Sequence, residues 1–74
     1  MTILSKSDKI QIIESRLKGL EYKKFGLGMD LLMENAKNTP DTESVSKIEE
    51  AIQEVDSQLS VLNSELSTVN ELTE

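Results

Sequence analysis

Glu49, Glu50, Glu54 and Asp56 form the densest group of side chains that could do chemistry. Oxygen ligands of this kind can hold a divalent cation, but the spacing is not that of a calcium loop, and neighbouring carboxylates on a helix are usually solvated charges. The chain has no histidine and no cysteine. A structural zinc site therefore lacks its preferred ligands, no disulfide can form, and no serine has an identifiable base to activate it. Gly26-Leu27-Gly28 does not make a phosphate loop, because no strand precedes it and Met29-Asp30-Leu31 does not extend a dinucleotide fingerprint. The two glycines instead suggest a close approach by a partner helix or a kink in their own helix, since each costs about 1 kcal/mol relative to alanine there. No catalytic residue, metal ligand or cofactor site is assigned, and the chain is not expected to be an enzyme.

Charge narrows the partners further. The net charge is −6, but residues 1–40 carry +2 and residues 41–74 carry −8, with Lys47 the single basic residue of the second half. Lys18, Lys23 and Lys24, set among Tyr22 and Phe25, could in principle meet RNA, yet phosphates need clustered cations that an acidic second half opposes. Nucleic acid is not an expected partner. No apolar run approaches the roughly 18 residues of a membrane span, and no charged segment followed by an apolar one opens the chain. The expected place is the cytoplasm of the producing cell.

The elements that must position these residues are helices. Val45, Ile48, Ile52, Val55, Leu59, Leu62, Leu66 and Val69 recur at steps of three and four, the repeat that packs one helix on another. Ile10, Ile13, Leu17, Leu20, Leu27 and Leu31 make a matching stripe in the first half, interrupted at Lys24. Ser5 followed by Asp8 signals a helix start. Asn38-Thr39-Pro40-Asp41 signals a turn, with Thr39 as N-cap and Pro40 as first helical residue. The expected fold is all-α: one domain over 1–74, with a first helix over about 5–37, a turn at 38–40 and a second helix over about 40–72, closed as an antiparallel, coiled-coil-like hairpin. Positions summing to about 79 then lie opposite each other, and Lys23 falls opposite Asp56.

Several apolar residues find no place on that seam. Phe25, Met29, Leu32 and Ala36 form a second stripe, expected beside the first, and Tyr22 and Met33 adjoin it. Tyr22, Phe25, Met29, Leu32 and Met33 are the expected protein-interaction surface, either for a foreign partner or as a core shared among copies. At 74 residues a single core is marginal, so an oligomeric bundle is expected. β-Branched residues at three of the four d positions of the second helix favour a trimer over a parallel dimer, provided that helix pairs with copies of itself. The outer serines and Thr68 of the second helix are indifferent helix formers, so that segment depends on its seam.

The residues Ile13-Glu14-Ser15-Arg16-Leu17-Lys18-Gly19-Leu20-Glu21-Tyr22-Lys23-Lys24-Phe25, followed by Met29-Asp30-Leu31-Leu32-Met33-Glu34-Asn35-Ala36-Lys37, resemble those of small uncharacterised helical proteins encoded by tailed bacteriophages, notably those of marine cyanobacteria. The resemblance covers about the first half of the chain. It implies a phage product, either a small virion component or an assembly factor of the tail-fibre chaperone type, and it brings no binding residues. A small regulator that binds a host protein through a helix-bundle contact is the alternative expectation.

Overall fold

The structure is a computed structural model and describes residues 3–72. The outermost positions of the expected domain, 1–2 and 73–74, lie outside the described residues. Two helices, α1 (Lys6–Asn35) and α2 (Thr42–Asn70), pack against each other as a hairpin. The hairpin measures 57 × 19 × 14 Å. Among the described residues there is no strand.

A reciprocal cap starts α1. Ser5 is extended at the N-cap, its hydroxyl accepts from the Asp8 N–H at 3.0 Å, and the Asp8 carboxylate accepts from the Ser5 N–H at 3.3 Å. Two otherwise orphaned donors are thus satisfied, and a negative charge sits at the positive end of the helix. At its other end α1 stops at Asn35, two residues before the expected limit, where the Lys37 N–H donates to the Glu34 carbonyl at 3.2 Å in a tightened last turn.

The turn departs from the expected capping in an informative way. Asp41, not Thr39, caps α2, which begins at Thr42, so Pro40 lies outside the helix. The Asp41 carboxylate accepts from the Glu43 N–H at 3.0 Å and from the Ser44 hydroxyl at 3.2 Å. Asp outranks Thr as a cap, and here it has additional support: its own N–H donates to the Glu34 carboxylate of α1 at 3.3 Å. Glu34 also accepts from the Lys37 ammonium at 3.1 Å. One buried carboxylate therefore fastens the end of α1 to the start of α2.

The seam holds the core. Ile13, Val55, Leu59 and Val69 are buried, and Ile10, Leu17, Leu20, Leu27, Leu31, Val45, Ile48, Ile52, Leu62 and Leu66 are half-buried. A helix that meets only one neighbour can cover its stripe from one side, which explains why half-burial dominates. The serines at 46, 57, 60, 64 and 67, with Thr68, are exposed on α2. Of the β-branched residues behind the trimer expectation, Val55 and Val69 are buried within the single chain and Ile48 is half-buried.

Leu59 and Val61 make a direct test of this arrangement, since they are 7 % and 68 % exposed on the same helix. Leu59→Glu, which buries an unpaired charge, should abolish the cooperative melt, whereas Val61→Glu should leave helicity intact by circular dichroism. At the turn, Glu34→Ala should cost about 1–3 kcal/mol in urea unfolding, because the Asp41 N–H loses its partner. Hydrogen bonds from the Glu43 and Ser44 N–H groups, then from the Ser44 hydroxyl, hold the Asp41 carboxyl below its ordinary pKa. A carboxyl depressed by folding stabilises above its unfolded pKa and loses that contribution as pH falls through the folded one. Asp41→Asn, which preserves a good cap, should keep stability at neutral pH and lose less of it on acidification than the parent.

Candidate interaction surface

The phase of the seam decides which residues of α1 are left over. On α1 the seam runs Ile10, Ile13, Leu17, Leu20, Lys24, Leu27, Leu31, Glu34, an unbroken alternation of three and four that includes two charged residues. Lys24 is half-buried, and its ammonium meets the Asp56 carboxylate at 2.7 Å. The pair expected from the sequence was Lys23 with Asp56; Lys23 is instead exposed. The residue that interrupts the apolar stripe is the one facing α2, and residues 24 and 56 sum to 80, one more than the expected register. The Asp56 hydrogen bond, then its charge, raise the Lys24 pKa above its ordinary value. A lysine raised by folding stabilises below its unfolded pKa and loses that contribution only as pH rises through the folded one, so the pair persists at neutral pH.

Tyr22, Phe25, Met29, Leu32 and Met33 are 69, 69, 41, 62 and 72 % exposed. At 3.6 residues per turn these positions lie roughly opposite Leu20, Leu27 and Leu31, not beside them. The expectation that this stripe lies beside the first is therefore corrected. α1 carries two separate apolar faces in its second half, one against α2 and one turned outward. Large side chains exposed side by side form an apolar patch of the kind often found at interaction sites. Its upper edge is tied to a charge, with the Lys18 ammonium 5.9 Å from the centre of the Tyr22 ring. Elsewhere Ile3, Leu4, Ile12, Val61 and Leu72 are exposed, with Leu4 and Ile12 lining one groove.

Glycine frames the stripe. α1 runs unbroken through Gly26 and Gly28, and a Cβ at either position, or at Gly19, would meet nothing within 4 Å. The hairpin itself therefore makes no use of the missing side chains. A shallow groove runs beside Gly28 between Lys24, Phe25, Met29 and Leu32. A second lies at Gly19, between Leu20 of α1 and Val61 and Leu62 of α2.

Among the described residues no three His, Cys, Asp or Glu side chains come together as a metal site, and Glu49, Glu50, Glu54 and Asp56 are exposed along α2. No helix among them is long and apolar enough to cross a membrane. Sequence reasoning missed Glu34, whose signal was present: it is the next step of three after Leu31 on the same repeat. No family model, curated protein or solved structure matches the chain.

A charge at a seam position has a measurable consequence. Lys24→Leu extends the apolar stripe where the helices touch and should raise the melting temperature, while Lys23→Leu, one position away on the exposed surface, should not. Equal effects of the two substitutions would contradict the register defined by Lys24 and Asp56.

Proposed function

We propose that this protein is a non-catalytic helical interaction protein that self-associates by docking through the outer face of α1. The observation that carries the reading is the set of large apolar side chains at Tyr22, Phe25, Met29, Leu32 and Met33, left in water on a helix whose other face already has a partner. Covering one such side chain contributes about 1.5–3 kcal/mol, so the stripe is a standing drive to associate. The hairpin supplies rigidity: a capped, paired helix presents the stripe with its backbone already ordered, which lowers the cost of binding.

The biological setting follows from the resemblance of residues 13–25 and 29–37 to small phage-encoded helical proteins. In that setting the hairpin acts in phage assembly, as a small virion component or as a chaperone-like assembly factor. Self-association and helix docking suit both roles.

Light scattering after size exclusion should show an oligomer for the parent chain. Phe25→Glu should reduce it to a monomer with helicity retained, because residue 25 lies outside the hairpin core. A mass unchanged by Phe25→Glu would remove the docking role of the stripe, and unfolding by that substitution would place Phe25 in the core.

A further inference from the structure

We propose that the outer stripe of α1 is closed by a second copy of the same chain, packed antiparallel with its two-fold axis at the level of Leu27, between Gly26 and Gly28. The inference rests on the reading of the stripe as a docking surface and specifies what covers it and how. Tyr22, Phe25, Met29, Leu32 and Ala36 themselves follow steps of three and four along the outer face, the pattern of a helix that meets another along its length. At the middle of this stripe both shoulders are bare. On the helical wheel Gly28 flanks Phe25 and Met29 on one side and Gly26 flanks them on the other, each open to space. Bare shoulders let two backbones approach closely, a use that nothing inside the hairpin makes of these glycines.

Antiparallel packing about Leu27 brings each residue against the one equally far on the other side of the axis. Phe25 then meets Met29 of the second copy, Tyr22 meets Leu32, and Gly26 comes level with Gly28. Shifting the pairing by a heptad toward the turn carries Tyr22 past the end of the other helix, which stops at Asn35.

Charge selects the antiparallel sense. Of the ionised residues bordering the stripe, Lys18 and Glu21 lie at its N-terminal end, Lys24 beside Phe25 near its middle, and Asp30 and Lys37 beside Met33 at its C-terminal end. Parallel packing would stack Lys18 on Lys18 and Glu21 on Glu21. The antiparallel pair separates them and delivers Lys18 to Ala36 of the second copy. There α1 ends with no basic residue in its last turn, and Lys37 just beyond it is engaged with Glu34, so a further cation is favourable at the negative dipole end. The area is adequate too. With a fully covered aromatic ring contributing about 150–250 Å², the exposed parts of the stripe come to roughly 600 Å² per copy and about 1,200 Å² per pair, the lower edge of a specific interface.

The chain has no cysteine, so a single Ser15→Cys variant can carry one spin label per copy. Antiparallel packing about Leu27 predicts labels separated by about 36 Å along the axis, and parallel packing by only about the 8–10 Å between helices. Sedimentation equilibrium should return a dimer, weakened about a hundredfold or more by Phe25→Glu. Gly26→Ala with Gly28→Ala should weaken the dimer about tenfold or more, yet raise the melting temperature of the Phe25→Glu hairpin, where added Cβ atoms meet nothing and favour helix. A Phe25-dependent oligomer with short label distances, a mass other than two, or a dimer indifferent to both alanines overturns the glycine-centred pair and leaves the docking surface standing. An oligomer indifferent to Phe25→Glu, or a parent that stays monomeric, overturns both.

Discussion

Two helices can cover each other along a single line, and this limit governs the whole molecule. Each contributes one stripe to the seam, and beyond it each is bare, in a body only 14 Å across its thinnest direction. Val55 is 1 % exposed, yet most of its neighbours along the seam are only half-buried. A core of this shape cannot grow by adding residues to the same chain; it grows by adding another helix. The second apolar face of α1 is placed where such a helix would come.

Charge enters the seam at two points and does different work at each. Lys24 reaches past the apolar line to Asp56 on the partly exposed flank, where water screens the pair and its contribution is small. Its value lies in register, since a shift of either helix would leave an ammonium facing apolar neighbours. Glu34 is more deeply covered and accepts from two donors, the Lys37 ammonium and the Asp41 N–H. A carboxylate taken out of water needs such partners. Removing it would open the hydrogen-bonded fastening between the end of α1 and the start of α2.

The seam could be read from the sequence because burial of apolar residues at steps of three and four leaves a periodic trace, and the Ser5–Asp8 box because it is local. What could not be read depended on competition between near-equivalent choices. Thr39 and Asp41 are both acceptable caps, and the balance is tipped by Glu34, six residues upstream of the expected start of α2 and visible only once the chain has turned. Lys23 and Lys24 differ by one position, but only one faces α2. The outer stripe was legible as an apolar surplus; its angular separation from the seam required the phase that Lys24 and Glu34 establish, and charged residues are easily passed over when an apolar repeat is traced.

The antiparallel course of the chain sets out an asymmetry between its two ends. Residues 3–5 and 70–72 come together at one end, while the turn lies at the other along a 57 Å axis. The exposed stripe begins at Tyr22 and occupies the turn-proximal half of α1. A reporter or affinity handle attached at Leu4 or Leu72 therefore sits at the pole remote from Phe25 and Met29, so the same geometry that exposes the stripe also offers a site for immobilisation that leaves it unobstructed on its own chain.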